Sequence, residues 1–242
     1  MTEPANLLQM LQTNPYPGRG IVLGRSGDGM KAYIAYFIMG RSENSRNRVF
    51  APHPEGGIVT QAANPARLQD PSLVIYAPVR TIGQSVIVTN GDQTDTIYRT
   101  MAAGGSFEMA LRGRTFEPDA PNYTPRISGM LHCGYEGFSY QMAVLKTAGG
   151  NPAGTYRQFF EYPTPLPGQG HFVCTYADAN PETSFVGEPV TVAISGGLDE
   201  FGEGIWQALN EDNKVALYVC SMGLEDEGET RIYNKYTVSE GQ

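Results

Sequence analysis

The chain has 242 residues, of which 40% are apolar, and a net charge of −8 at neutral pH. This length suits one large domain or at most two small ones, and the negative charge argues against nucleic acid or an anionic membrane as a partner of the whole surface. The longest apolar run, residues 32–39, is far shorter than the roughly 20 residues of a membrane-spanning helix.

The apolar pattern predicts helices and strands in a clear order. A short helix over residues 6–12 precedes two strands, 19–24 and 30–39, whose RSGDG connection is typical of a β-hairpin. Further strands are predicted at residues 73–79, 85–89, 127–133, 139–146, 156–162, 171–176, 190–195 and 215–221. Helices are predicted at residues 94–103, where apolar residues recur at helical spacing, and at 106–112 and 198–210.

This order of elements predicts the architecture. Strand pairs, two helices, more strands and a late helix suggest two sheets covered by helices. We therefore predict a single α+β domain over residues 1–242, built as a four-layer α/β/β/α sandwich. The 29 glycines and 17 prolines agree with a protein rich in turns and sheet.

Cysteine and histidine do not indicate a metal centre. The cysteines Cys133, Cys174 and Cys220 are odd in number and lack a CxxC spacing, which argues against a disulfide framework or a structural zinc site. The three histidines are scattered along the chain. Because the N-terminus lacks the basic and apolar regions of a secretory signal, we expect a cytoplasmic protein.

The charges are unevenly distributed. Residues 1–126 contain 12 Lys/Arg and 10 Asp/Glu, whereas residues 127–242 contain 5 and 15. Eleven of the 13 arginines lie in the first of these halves. We therefore expect an anionic ligand to bind against the N-terminal half.

The densest cationic segment is GRSENSRNRVF, residues 40–50, directly after an apolar strand. It combines Arg41, Arg46 and Arg48 with the amide of Asn47. Guanidinium geometry matches the oxygens of phosphate, so this segment is a candidate phosphate-binding site. The alternative is a solvated polar loop.

Two other segments place polar groups at predicted strand ends. Tyr76 lies at the edge of a strand, where its phenol could point into a cleft. In TNGDQTD, residues 89–95, Asn90 and Gly91 join a strand to a helix. An Asn-Gly pair allows positive φ and turns backbone N–H groups toward one point, which suits an anion or amide cradle.

A third segment contains Glu117 and, in NYTPRI, Asn122 and Arg126. It offers a carboxylate, an amide and a cation just before a predicted strand. Taken separately, each of these segments is as consistent with a structural role as with a functional one.

Taken together, these segments resemble a known family. GRSENSRNRVF, the strand with Tyr76, TNGDQTD and the FE…NYTPRI segment occur in the same order as in the archaeal-type inosine monophosphate (IMP) cyclohydrolases. The resemblance covers residues 18–129, and beyond it only the order of strands and helices is similar. The C-terminal half is longer and more acidic than the family pattern.

The resemblance implies an N-terminal-nucleophile-hydrolase-like fold without the N-terminal nucleophile, which agrees with the layered sandwich. Hydrolases of that fold carry Ser, Thr or Cys as the first residue of the first strand. Here the first strand is predicted to begin near Gly18 and Arg19, and Thr2 lies well upstream.

The resemblance also implies the reaction and its residues. The chain would close the ring of 5-formamidoimidazole-4-carboxamide ribonucleotide to give IMP, with no metal or organic cofactor. The catalytic group would be Arg48, to stabilise charge, Tyr76, to donate a proton or hydrogen bond to the formyl oxygen, and Glu117, to orient or deprotonate the carboxamide. The implied substrate contacts are Arg41, Arg46, Asn47, Asn90, Gly91, Asn122 and Arg126.

Two other functions remain open at this point. One is an amide hydrolase of the same fold, and the other is a purine-nucleotide-binding regulator that binds IMP without turnover. In the leading hypothesis the partner is a small purine nucleotide rather than nucleic acid or a membrane, and a homo-oligomer is left open.

Overall fold

The computed structural model contains two antiparallel sheets that pack face to face. It describes residues 3–134, 137–181, 183–224 and 228–238, so that Thr2 lies outside the described residues. Short connections at residues 26–30, 53–57, 83–84 and 149–150 join neighbouring strands, as expected for a chain rich in glycine and proline. None of the helices in the described ranges is long and apolar enough to span a membrane.

The strands are β1 (Arg19–Arg25), β2 (Lys31–Met39), β3 (Arg48–Pro52), β4 (Ile58–Ala62), β5 (Val79–Ile82), β6 (Ser85–Thr89), β7 (Arg126–Gly134), β8 (Gly137–Ala148), β9 (Asn151–Tyr162), β10 (Gln169–Cys174), β11 (Val190–Ala193), β12 (Lys214–Gly223) and β13 (Glu229–Asn234). The helices are α1 (Leu7–Thr13), α2 (Glu43–Arg46), α3 (Gln93–Ala102), α4 (Phe107–Arg112) and α5 (Leu198–Ala208), with a 3₁₀ turn at Pro65–Arg67.

The first sheet has six strands in the order β11-β10-β1-β2-β12-β13. Its central strands β2 and β12 are buried along almost their whole length. Such continuous burial requires cover on both faces. Helices α1 and α5 contact each other, and α5 packs on β12 and β13, so these helices cover one face while the second sheet covers the other.

The second sheet has seven strands in the order β3-β4-β5-β6-β7-β8-β9. In β6, the side chains of Val86 and Val88 join the core between the sheets, whereas Ile87 packs with Ile97 of α3 and Phe107 of α4. This alternation is the period of two expected when both faces of a strand are covered. The layers are therefore helix, sheet, sheet and helix, which confirms the predicted α+β sandwich.

The two sheets approach each other closely where β1 crosses β7. A Cβ atom placed on Gly129 would lie 2.9 Å from Cδ1 of Leu23, so a larger residue here would force the Leu23 side chain to shift. At the opposite edge, Phe50 of β3 exchanges two hydrogen bonds with the side-chain amide of Asn234, at 2.8 and 2.9 Å. These contacts fix the first sheet over the second.

One predicted strand is wrong. Residues 73–78 are irregular, and the strand β5 starts only at Val79. The physical reason is that Pro71 and Pro78 have no N–H to donate to a ladder, and that the Oγ1 of Thr60 binds both the N–H and the C=O of Tyr76. The apolar pattern also missed β3, β4 and β13, whereas the other predicted elements differ from the structure by only a few residues at their ends.

Candidate active site

Charged and phenolic side chains gather at one end of the two sheets. Arg19 begins β1, Arg48 begins β3 and Arg126 begins β7. In an antiparallel sheet the start of one strand lies beside the end of its neighbour. Arg19 therefore lies beside the end of β2, and Arg126 lies near the end of β6. The pairing therefore brings residues far apart in sequence to the same place.

Arg48 is almost completely buried, with 1% of its surface exposed. Its Nε donates to the carbonyl of Ser45 at 2.7 Å and its Nη2 to the carbonyl of Met39 at 3.2 Å. Burial lowers the pKa of Arg48, but a guanidinium stays charged in proteins. The remaining nitrogen, Nη1, is buried and has no hydrogen-bond partner among the described residues.

Tyr76 shares a hydrogen bond with a second buried phenol. The hydroxyls of Tyr36 and Tyr76 are 2.8 Å apart, and either can be the donor. Burial, followed by the neighbouring Tyr76, raises the pKa of Tyr36 well above its usual range. Because Thr60 holds the main chain of Tyr76 on both sides, the position of this phenol is set by the scaffold.

Glu117 is a buried carboxylate, with 2% of its side chain exposed. Its Oε2 lies 3.5 Å from Nη2 of Arg19, and its Oε1 accepts a long bond of 3.4 Å from the amide of Asn90. Burial raises the pKa of Glu117, although the cations of Arg19 and Arg126 oppose this effect. A buried carboxyl with a raised pKa beside cations is a common arrangement for an acid–base group.

Arg19 is the charged residue of this cluster that the sequence analysis did not select as a site residue. Only 13% of its side chain is exposed, and its Nε is buried with no partner among the residues described. Burial opposes its charge, but the carboxylate of Glu117 and the neighbouring phenols together outweigh burial, so the pKa of Arg19 is raised. The available signal was a lone cation, between Gly18 and Gly20, at the start of an otherwise apolar strand.

Asn90 and Gly91 lie next to Glu117 and Arg126 at the edge of the cluster. The amide of Asn90 makes all the bonds it can, accepting from the N–H of Ile127 and the amide of Gln93 at 2.9 Å each, and donating to the carbonyl of Pro125 and to Glu117. A Cβ on Gly91 would lie 2.6 Å from Nη1 of Arg126. A side chain at this position would have to displace the end of Arg126, and the φ of Gly91 is not positive, contrary to what the Asn-Gly pattern suggested.

The proposed anion cradle of this loop is therefore not formed by its first two N–H groups. The N–H of Asn90 donates to the carbonyl of Ile127, and that of Gly91 donates to Oγ1 of Thr89. Arg126 is bound to Asp92 at 2.8 Å and to Oε1 of Gln93 at 2.6 Å. The prediction that Asn90, Gly91 and Arg126 contact substrate remains a prediction.

We expect Asn90→Ala to lower the free energy of unfolding by about 2–4 kcal/mol, because the buried carbonyl of Pro125 and the N–H of Ile127 lose the Asn90 amide and Gln93 loses one of its bonds. The measurement is urea unfolding followed by circular dichroism and Trp206 fluorescence. Asn122→Ala is the control, since the partly exposed side chain of Asn122 makes no hydrogen bond within the described part of the chain, and it should cost less than about 0.5 kcal/mol. Equal unfolding midpoints for the two variants would contradict the assigned role of Asn90.

A second group of side chains borders the cluster. Tyr176 donates to Oγ1 of Thr124 at 2.8 Å, and Thr124 in turn donates to the carboxylate of Asp119. The ring of Tyr176 stacks on Tyr16 at 5.8 Å, and the guanidinium of Arg41 lies 4.2 Å above the ring of Tyr16. Arg41 itself is exposed.

The three arginines of residues 40–50 do not form one clamp. Arg46 donates to the carbonyl of Gly40 at 2.9 Å, and Asn47 exchanges two hydrogen bonds with the main chain of Asn64. Arg46 and Asn47 line a separate surface cavity of about 680 Å³ together with Arg67 and Lys235. Of the segment, only Arg48 enters the buried cluster.

The structure thus brings Arg48, Tyr76 and Glu117 near one another, with Arg19 paired to Glu117 and Tyr36 hydrogen-bonded to Tyr76. The periodicity of β2 could only assign Tyr36 to the core, so its bond to Tyr76 had no sequence signal. Within the described ranges, no group of three His, Cys, Asp or Glu residues is arranged to hold a metal ion. The free cysteines Cys133, Cys174 and Cys220 are all buried.

Comparison with known families agrees with these features. The family model described as IMP cyclohydrolase-like protein matches residues 16–227, which is most of the chain. The matched range contains both sheets up to β12 and every member of the buried cluster. The chain belongs to the IMP cyclohydrolase-like family.

Proposed function

We propose that this member of the IMP cyclohydrolase-like family catalyses the dehydrative ring closure of 5-formamidoimidazole-4-carboxamide ribonucleotide to IMP. The observation that carries the proposal is the buried group of Arg48, Tyr76 and Glu117, which offers a guanidinium N–H without a partner among the described residues, a phenol and a carboxylate. A cytoplasmic location and a place in purine biosynthesis are parts of the same proposal.

The reaction is an intramolecular condensation that needs positioned proton donors and acceptors. The carboxamide nitrogen attacks the formyl carbon and forms the new C–N bond, while the formyl oxygen takes the charge and then a proton. One proton leaves the carboxamide nitrogen and one leaves the formamide nitrogen, and the former formyl oxygen departs as water. Because both reacting groups belong to one molecule, holding them in the attacking conformer is a large part of catalysis.

Glu117 is assigned to the nitrogen side of this reaction. An amide proton is weakly acidic, so a base must be positioned against it. The carboxylate of Glu117 is desolvated, which raises its pKa and its basicity. Its main-chain N–H donates to the carbonyl of Thr124 at 2.9 Å, so the loop that carries it is held in place.

Arg48 and Tyr76 are assigned to the oxygen side. A donor aimed at the oxygen that gains charge stabilises the transition state most when it is fixed in advance and shielded from water. The unpaired Nη1 of Arg48 meets this requirement because its other nitrogens are bound to main-chain carbonyls. Tyr76, hydrogen-bonded to Tyr36, can supply a proton to the departing hydroxyl.

The test is a direct assay of ring closure. The formylated carboxamide ribonucleotide is incubated with the full chain, and IMP, formate and the unformylated carboxamide ribonucleotide are separated by chromatography. Formation of IMP well above the uncatalysed rate supports the proposal. Release of formate would instead identify an amide hydrolase, and tight binding of IMP without turnover would identify a regulator, so either result would overturn the cyclohydrolase.

We expect Tyr76→Phe to lower kcat by about 10²-fold, the lower end of what a general acid contributes. Tyr36→Phe should lower it less, by about 3–10-fold, because Tyr36 only positions the Tyr76 hydroxyl. Tyr156→Phe, whose ring is exposed on β9, is the control and should leave kcat unchanged. Wild-type turnover in Tyr76→Phe at saturating substrate would remove this residue from the mechanism.

A further inference from the structure

Two buried guanidinium N–H groups near Glu117 have no hydrogen-bond partner among the described residues. They are Nη1 of Arg48 and Nε of Arg19. An unpaired buried donor costs free energy, and a charged one more than a neutral one. A bound ligand that accepts a hydrogen bond from such a donor would remove this cost. Arg48 is already assigned a role, but Arg19 is not.

We propose that Arg19 is a further residue of this site, which anchors Glu117 through its ion pair and donates its free Nε–H, together with Arg48, to the formyl oxygen at the reacting end of the nucleotide. This inference rests on the proposed function. It adds a second cation, from the other sheet, to the oxygen side of the reaction.

The main chain of Arg19 is fixed on both sides. Its N–H donates to Oγ1 of Thr175 at 3.2 Å and its carbonyl accepts from the N–H of Thr175 at 3.0 Å. Gly18, which precedes it, has φ +76°, and a Cβ there would lie 2.2 Å from Oγ1 of Thr175. Arg19 is therefore held by the scaffold before any ligand binds, which suits a preorganised donor.

The position of Glu117 favours the formyl oxygen over the phosphate as the ligand of Arg19. A dianionic phosphate at Nε of Arg19 would stand close to the carboxylate that Arg19 already pairs at 3.5 Å, and the two anions would repel in a buried site. A formyl oxygen is neutral in the substrate and gains charge only during the reaction. The pair Arg19–Glu117 can accommodate it without two full negative charges in the ground state.

Glu117 faces charged groups from several elements. Arg19 of β1, Arg126 of β7 and Arg48 of β3 favour its ionised form, whereas Asp119 of its own loop disfavours it. Arg19 is the strongest of these influences and forms the ion pair with Glu117. Removal of the Arg19 charge should therefore raise the pKa of Glu117 further, while Lys at this position should hold it near the wild-type value.

The first experiment does not depend on activity. The full chain is labelled with glutamate carrying ¹³C at the carboxyl carbon, and the Glu117 resonance is assigned by its loss in Glu117→Gln. Titration of wild type, Arg19→Gln and Arg19→Lys should place the Glu117 transition at higher pH in Arg19→Gln only. An unchanged transition in Arg19→Gln would overturn the ion-pair role.

The second experiment tests the donor. At neutral pH we expect Arg19→Gln to lower kcat by about 10²-fold and Arg19→Lys by about 10-fold, with the Kd for IMP changed less than threefold, because the contact strengthens only in the transition state. Arg25→Gln, at the other end of β1, is the matched control and should keep wild-type kcat. The acid limb of the pH–rate profile should move to higher pH in Arg19→Gln.

Three outcomes would overturn the donor role. Wild-type kcat in Arg19→Gln would exclude Arg19 from the chemistry. A large loss of IMP affinity that is absent for inosine would show that Arg19 binds the phosphate instead. A lowered thermal midpoint that accounts for the lost activity, with the pH profile unmoved, would leave Arg19 a purely structural residue. Absence of ring closure by the wild type would overturn the proposed function itself, and the carboxyl titration would still decide the ion pair.

Discussion

Glu117→Gln is expected to lower kcat for ring closure by about 10³-fold, the largest effect of any single substitution in the cluster. Glutamine keeps the size of the side chain but cannot accept the amide proton, and a positioned base contributes about 10²–10⁴-fold. The measurement is IMP formation at saturating substrate. Glu108→Gln, in an exposed pair with Arg112 on α4, is the matched control and should be fully active.

The same substitution should remove the acid limb of the pH–rate profile. Burial raises the pKa of Glu117 above the roughly 4.3 of a free glutamate, so wild-type activity should fall as the pH drops through this raised pKa. Because the folded protein then binds a proton more tightly than the unfolded chain, Glu117 lowers the free energy of unfolding as pH rises through the same window. An acid limb that persists unchanged in Glu117→Gln would assign it to another group.

Glu117→Gln also leaves Arg19 without its carboxylate. Breaking a buried ion pair by removing one partner costs about 3–5 kcal/mol, although the partial exposure of Arg19 reduces that figure. The thermal midpoint must therefore be measured beside kcat. A folded variant with lost turnover separates the chemical role of Glu117 from its structural one.

Arg48→Met is expected to lower kcat by about 10²–10³-fold, because it removes the fixed N–H from the oxygen side, where one lost donor costs about that much. Methionine fills a similar apolar volume but leaves the carbonyls of Ser45 and Met39 without donors, so some loss of stability is expected. Arg48→Lys keeps the charge and should retain more activity than Arg48→Met if charge stabilisation is the role.

The control for Arg48 is Arg99→Met. Arg99 is an exposed arginine of α3 that pairs with Asp95 at 3.7 Å, so its removal should change neither kcat nor the thermal midpoint appreciably. Full activity in Arg48→Met, with IMP still formed at the wild-type rate, would contradict the role assigned to the buried guanidinium.

Local sequence signals predicted those helices and hairpins whose stabilising contacts are made between residues close together in the chain. Asn6 and Ser106 precede the helices α1 and α4, and each caps its helix by accepting a main-chain N–H. The RSGDG turn joins β1 to β2 in an antiparallel hairpin. Each of these caps and turns depends only on residues a few positions apart, so it can be predicted from the sequence alone.

The candidate site was only partly predictable. The order of GRSENSRNRVF, TNGDQTD and NYTPRI pointed to the family and to the segments that carry Arg48, Tyr76 and Glu117. The motif could not tell that Arg46 binds Gly40 and Asn47 binds Asn64, since both partners are main-chain atoms whose positions depend on the fold. It also missed Arg19, because a lone cation between two glycines at a strand start does not by itself indicate which group it will meet in the fold.

By itself the sequence determined the sandwich of two sheets, the helices that cover it and the family, because hydrophobic periodicity, turn signals and ordered motifs are properties of neighbouring residues. Only the tertiary structure decided which polar groups meet. Arg19 of β1 meets Glu117 of the loop before β7, and Tyr36 of β2 meets Tyr76 of the irregular segment before β5. Such pairs form because burial makes an unpartnered charge or hydroxyl costly, and that cost exists only once the sheets have packed.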